Sequence, residues 1–112
     1  MVVANGGKAA LGLYLDGRVS IVVGPHTHVP NADQRILSNE TAFVSDLGMV
    51  GTVNSVISSE PGDALARFLT QLPRRLKVAE HEPVRFNSVL VDVDDASGLA
   101  RDIQRVNRIV DL

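Results

Sequence analysis

Hydrophobic and polar positions alternate most clearly in residues 84–94, where apolar side chains occupy close to every second position. A period of two is typical of a strand with one buried face. Residues 94–98 are rich in aspartate and include a serine and a glycine, which favours a turn. Residues 100–109 then return with apolar side chains at intervals. The pattern therefore predicts a β-hairpin near the carboxyl terminus.

Two other segments have the spacing of amphipathic helices. Residues 8–15 place four apolar side chains on a stripe that we expect to be buried, namely Ala9, Ala10, Leu13 and Tyr14. Gly17 then provides the left-handed residue with which helices commonly end. Residues 64–72 carry a similar stripe, consisting of Leu65, Phe68, Leu69 and Leu72. Pro73 stops this second helix because it cannot donate a backbone hydrogen bond.

The first predicted helix leads directly into an apolar run at residues 18–23. Because this run is continuous rather than alternating, it predicts a strand buried on both faces. Shorter strands are expected at 34–37 and 41–45, followed by a glycine-bearing loop at 46–51, and residues 76–79 are a further candidate strand. Helices that alternate with strands indicate an α/β fold. Without a repeat or linker, residues 1–112 are expected to form a single domain.

The 18–23 run ends in glycine and is followed by two histidines, His26 and His28, at spacing i, i+2. In extended backbone, side chains two residues apart point the same way, so both imidazoles could face one site while Thr27 points away. Imidazole is a common ligand for transition metals. Two histidines are still fewer than the three or so protein ligands of a typical catalytic zinc site, so the pair is only part of a metal centre.

Composition narrows the remaining possibilities. The 112 residues are 45% hydrophobic, carry a formal net charge of -2 and include no cysteine. Such a balance gives no electrostatic reason to expect nucleic acid or an anionic membrane as a partner, and disulfides and thiolate ligands are excluded. No apolar run approaches the length of a membrane span, and residues 1–7 lack the features of a signal peptide, so we expect a cytoplasmic protein.

Three stretches together resemble a known family. They are Gly24-Pro25-His26-Thr27-His28-Val29, Ala32-Asp33-Gln34-Arg35-Ile36-Leu37 and Ser45-Asp46-Leu47-Gly48-Met49. They are similar to the carboxyl-terminal half of bacterial calcineurin-like metallophosphoesterases of the 2',3'-cyclic nucleotide phosphodiesterase family. Further matches extend the resemblance from about residue 8 to residue 109. A capsule-synthesis type of metallophosphoesterase also carries a His-x-His pair, but the second stretch disfavours it.

The resemblance implies part of a four-layer α/β/β/α sandwich with a carboxyl-terminal β-hairpin. It implies a dinuclear centre of divalent metal ions, iron or manganese, in which His26 binds one metal and His28 the other. The substrate of the complete enzyme would be a phosphodiester or cyclic nucleotide. Asp46 and Gly48 would lie near the mouth of the site, and Asp46 would either cap its own loop or support a histidine.

The family's remaining ligands belong to an amino-terminal half that this chain lacks. We therefore expect a half-domain with little or no hydrolytic activity by itself, and we assign no catalytic or substrate-binding residue. His81 is expected to be a solvated loop residue. The alternative is a non-catalytic module that kept the scaffold and self-associates, since loss of half of a sandwich exposes strand edges and apolar faces. Because such exposed surfaces tend to pair, we expect a homo-oligomer.

Overall fold

The computed structural model describes residues 4–112 and contains two helices and six strands. The helices are α1 (Asn5–Leu15) and α2 (Pro61–Thr70). The strands are β1 (Ile21–Val22), β2 (Arg35–Ile36), β3 (Ala42–Phe43), β4 (Val50–Thr52), β5 (Val84–Val93) and β6 (Ala100–Val110). The fold is thus mixed α/β, as predicted. The first three residues of the predicted domain lie outside the described residues, within which no helix is long and apolar enough to cross a bilayer.

The chain divides into two units, and the first contains residues 4–49 and 87–107. Its sheet has the order β1-β3-β2, with β1 parallel and β2 antiparallel to β3. The buried core consists of Val22, Leu37 and Phe43, against which three partly buried residues pack, namely Ala9, Leu15 and Val19. Most of β5 and all but the end of β6 also belong to this unit, and these neighbouring strands form the predicted hairpin.

Helix α1 approaches the sheet through a glycine. A Cβ atom at Gly12 would lie 2.7 Å from the Phe43 ring, which is closer than carbon atoms pack. The buried face of α1 is therefore formed by Lys8 and Gly12. The predicted stripe was wrong at Leu13 and Tyr14, which are 67% and 69% exposed, whereas its member Ala9 does pack against the core. Gly17 does follow the helix with a left-handed φ of 79°, as predicted.

The strand predicted at 18–23 is shorter and more exposed than expected. Only Ile21 and Val22 form β1, and Ile21 is 39% exposed while Val22 is buried. Val22 packs in the core, whereas Ile21 faces outward. The continuous apolar run therefore did not indicate a strand buried on both faces.

The second unit contains residues 50–86 and 108–112. Strand β4 pairs antiparallel with the beginning of β5, with Gly51 opposite Arg85. Helix α2 begins at Pro61, three residues earlier than predicted, and ends two residues before the predicted position. No strand forms at 76–79, where a single bridge joins Val78 to Ser59. The apolar stripe of α2 exists as predicted, but its side chains are exposed.

Candidate functional site

The two histidines lie in the loop that follows β1. His26 is exposed and His28 is partly buried. The backbone bends through this loop, and His28 has a left-handed φ of 67°. The predicted extended backbone at His26-Thr27-His28 was therefore wrong. The rule that side chains at i and i+2 point the same way applies only to extended backbone, so spacing alone does not fix the directions of these rings.

Thr27, between the histidines, is held by a carboxylate from another segment. Asp46 is fully buried, and its Oδ2 accepts hydrogen bonds from the Thr27 amide and from the Thr27 hydroxyl, each at 2.7 Å. Its Oδ1 accepts a third bond from the Gly48 amide at 3.0 Å. Asp46 therefore caps its own loop, one of the two roles considered for it from the sequence, and it also fixes the histidine loop through Thr27. Direct support of a histidine side chain stays a prediction.

The ionisation of Asp46 reflects the same contacts. Burial opposes the charged form, but the hydrogen bonds from Thr27 and Gly48 outweigh it and hold the pKa of Asp46 below its usual value. Asp33 behaves similarly: burial opposes its charge, while hydrogen bonds from Ser45 and the nearby charge of Arg35 lower its pKa. Asp33 Oδ1 accepts the Ser45 amide at 3.1 Å. Both carboxylates are thus predominantly ionised at neutral pH.

The sheet topology explains why two segments that are distant in the sequence meet. Because β1 and β3 are parallel, the chain leaves both strands at the same edge. The Leu47 amide donates to Gly24 O at 3.1 Å, and the Asn31 amide donates to Asp46 O at 3.0 Å. The histidine loop (residues 23–34) and the Asp46 loop (residues 44–49) are therefore joined by backbone bonds as well as by the carboxylate.

Two cationic side chains that the sequence interpretation missed contact the same loops. Lys8 of α1 is 6% exposed, and its Nζ donates to Gly24 O at 3.2 Å and to Ser45 O at 2.5 Å. Arg105 of β6 donates to main-chain carbonyls of both loops. The sequence held one clue to each residue. Lys8 is the one charged residue in an otherwise apolar helical segment, and Arg105 lies two positions after Ile103, on the same face of β6.

Gly48 lies where the Asp46 loop is most crowded. Its φ of 83° is left-handed, and a Cβ atom there would lie 2.9 Å from the Pro30 backbone nitrogen and 2.8 Å from the side-chain Nδ2 of Asn87. The Asn87 side chain in turn donates to Met49 O at 2.8 Å. Only glycine fits both the positive φ and the close contacts without strain, so Gly48 has a structural role in the Asp46 loop.

The donors present fit part of a metal centre. Imidazole nitrogens are suitable ligands for divalent transition metals, and both histidines belong to a loop fixed by Asp46. Across residues 4–112, however, no group of three or more His, Cys, Asp or Glu side chains could hold a metal ion. His81 is in the second unit and lies 3.5 Å from a Glu60 oxygen, exposed as expected. Any further ligands to the His26–His28 pair must therefore come from elsewhere.

Comparisons with known proteins agree on a family. The chain is 43% identical, over 92% of its length, to the 2',3'-cyclic-nucleotide 2'-phosphodiesterase of Bacillus subtilis strain 168, of which it covers 39%. It superposes with a TM-score of 0.86 on 41% of a hypothetical protein from Thermus thermophilus, at 37% identity over 96% of this chain.

A crystal structure described as a novel phosphatase from Mycoplasma pneumoniae gives a TM-score of 0.87 at 28% identity, over 96% of this chain and 38% of that one. The chain thus spans about two fifths of the length of these relatives. The family described as "YmdB-like protein" matches residues 3–106. These matches confirm the resemblance to cyclic-nucleotide phosphodiesterases, and the chain belongs to the YmdB-like protein family.

Proposed function

We propose that this chain contributes His26 and His28 to the dinuclear centre of a metal-dependent phosphodiesterase that acts on a phosphodiester or cyclic nucleotide. The observation that carries the proposal is the attachment of the histidine loop to the buried Asp46 carboxylate through Thr27. The name of the Bacillus subtilis relative supports the reaction class. The chain would form part of a four-layer α/β/β/α sandwich, with the remaining ligands supplied by the rest of that fold.

In this proposal the residues of the histidine loop and the Asp46 loop have different roles. His26 and His28 hold the metals, which we expect to be iron or manganese. A divalent metal pair supplies Lewis-acid stabilisation of negative charge on the phosphoryl oxygens. We assign Asp46 no metal, because its two oxygens already accept three hydrogen bonds, two from Thr27 and one from Gly48. Its task is to restrict the loop, as outer partners of metal ligands commonly do.

Metal titration tests the histidine assignment directly. We expect weak binding of Co²⁺ and Mn²⁺ by the wild-type chain, with a Co²⁺ absorption spectrum that His26→Ala and His28→Ala both abolish. His81→Ala is the matched control, because it removes the third histidine of the chain from a different unit. Binding that His81→Ala weakens as much as His26→Ala would contradict the assignment.

Hydrolysis provides the second test. We expect little or no turnover of bis(p-nitrophenyl) phosphate or 2',3'-cyclic AMP by this chain with Mn²⁺ or Fe²⁺, because two imidazoles cannot hold a metal pair by themselves. Rapid turnover that persists in His26→Ala would refute the proposed site. Turnover that appears only when the amino-terminal part of the Bacillus subtilis relative is added would support the half-domain interpretation.

One observation favours a second candidate, a non-catalytic module that self-associates. The apolar stripe of α2 is exposed, with Phe68 at 73%, Leu69 at 69% and Leu72 at 65%. It borders a groove of about 550 Å³ in the second unit. Asp63 and Arg74, each next in sequence to a residue that lines the groove, pair at 2.9 Å. Such a surface suits a two-fold contact with a second copy, in which each side meets its own complement.

Light scattering coupled to size-exclusion chromatography distinguishes the candidates. Self-association through α2 predicts a dimer or larger species that Phe68→Glu converts to a monomer. Leu112→Glu serves as the control, because it changes an even more exposed apolar residue outside the groove. A wild-type monomer at the highest soluble concentration would exclude the second candidate.

A further inference from the structure

We infer that Arg105 is a positioning residue that fixes the histidine loop against the Asp46 loop and thereby sets the metal affinity of His26 and His28. The inference rests on the proposed function for its consequence and on hydrogen bonds within the first unit for its geometry. Arg105 lies near the middle of β6, 77 residues after His28 in the sequence, so only the tertiary fold brings it to these loops.

Arg105 binds carbonyl oxygens from both loops at once. Its Nη2 donates to Asn31 O and also to Asp46 O, the latter at 2.9 Å. Its Nη1 donates to Leu47 O at 3.3 Å. The Asn31 acceptor lies three residues after His28, whereas the other two acceptors follow β3. One guanidinium therefore bridges the same two loops that the Asp46 carboxylate joins at Thr27.

The chemistry of this contact requires arginine. A guanidinium offers several N–H donors in a rigid planar fork, and a carbonyl lone pair accepts each of them without further rearrangement. Lysine has a single nitrogen, so it cannot reach three acceptors from two loops with the same geometry. A hydrogen bond from a charged donor is also stronger than one from a neutral donor, which favours a guanidinium for holding these loop carbonyls.

Arg105 differs from the arginine four positions earlier on the same strand. The Arg101 side chain is 63% exposed and pairs with Asp94 at 2.5 Å, across the turn that joins β5 and β6. Arg105 is partly buried, and its hydrogen-bond partners are main-chain carbonyls. Its donors therefore serve the loop backbone. Arg101→Ala is accordingly a matched control that removes the same charge from the same strand without touching either loop.

Amide hydrogen exchange measured by NMR tests the positioning role without any metal. We expect Arg105→Ala to speed exchange of the Asn31 and Gly48 amides by about 5- to 10-fold, a change of the size that one hydrogen bond typically contributes. The Ala42 amide of β3, which donates to Ser20 O in the core sheet, should keep its wild-type rate. Arg105→Lys should give an intermediate effect, and it also covers the case in which the alanine variant does not fold.

Co²⁺ titration of the same variants tests the consequence for metal binding. We expect Arg105→Ala to weaken Co²⁺ binding about 10-fold, within the range for outer partners of metal ligands, with partial recovery in Arg105→Lys and none of this effect in Arg101→Ala.

The possible outcomes are distinct. Equal acceleration of the loop and core amides would overturn the inference, because Arg105 would then stabilise the whole unit. Co²⁺ binding that depends on His26 but not on Arg105 would overturn the inference and leave the proposed function intact. Wild-type Co²⁺ binding that does not depend on His26 would refute both. Selective loop exchange together with weakened binding supports the inference.

Discussion

Asp46→Asn replaces the buried carboxylate with a group of the same shape that has only one accepting oxygen. In the wild type, three donors converge on the two oxygens, two from Thr27 and one from Gly48. An asparagine NH₂ group must then face at least one of these donors. A bond to a charged acceptor contributes about 1.5–3 kcal/mol, and a buried donor left unpaired costs about 1–3 kcal/mol. We expect the free energy of unfolding to fall by about 2–4 kcal/mol.

Urea unfolding followed by tyrosine fluorescence measures this change. The chain contains one tyrosine and no tryptophan, and Tyr14 lies in α1 of the same unit as Asp46. The midpoint should shift to lower urea while the slope stays constant, because the surface exposed on unfolding is unchanged. Asp102→Asn on β6 changes an exposed aspartate and should alter stability by less than about 0.5 kcal/mol.

A shift in Asp46→Asn no larger than that of Asp102→Asn would refute the reasoning. It would mean that the three hydrogen bonds to Asp46 contribute nothing beyond what water supplies. The same variant should also weaken Co²⁺ binding about 10-fold if the Thr27 contact restricts the histidine loop, whereas Asp102→Asn should not.

Three further outcomes are expected. Gly48→Ala should lower the free energy of unfolding in urea by roughly 2–4 kcal/mol, because the new Cβ atom would be strained at a positive φ and would overpack the site. Gly62→Ala in α2 is the control: it has open space around it, so it should be neutral or slightly stabilising. Acid titration followed by circular dichroism should show that stability falls below about pH 4, and that it falls less steeply in Asp46→Asn. A carboxylate whose pKa is lowered in the folded state stabilises the fold at pH values above its unfolded pKa. This stabilisation disappears as the pH falls through the folded pKa. Phe68→Glu should leave the free energy of unfolding within about 0.5 kcal/mol of the wild type, because the side chain is exposed; a large loss would show that it packs within its own chain.

Patterns within short stretches of sequence were enough to predict the β5–β6 hairpin and α2. The β5–β6 hairpin follows from alternation and a turn, and α2 follows from helical spacing with a proline beyond its end. Burial was harder to predict, because it depends on distant partners. The stripe of α1 was misassigned since the side that faces Phe43 carries Gly12 and Lys8, which do not contribute to an apolar pattern.

The candidate site shows the same division. Spacing and the resemblance selected His26 and His28, and they placed Asp46 nearby. The bent backbone at His28 could not be predicted, because it depends on hydrogen bonds between Thr27 and a residue 19 positions later. Lys8 and Arg105 were missed for a related reason. They bind main-chain carbonyls, which every residue possesses, so no complementary side chain in the sequence marks their partners.

The burial of Lys8 has a practical consequence for handling this protein. The sequence contains two lysines, and Lys77 is exposed in the second unit. An amine-acylating reagent should therefore label Lys77 in every preparation, whereas Lys8 should react only in molecules whose helix has detached from Gly24 and Ser45. The ratio of the two modified peptides in a mass spectrum would report the fraction of a sample in which α1 is detached from the two loops.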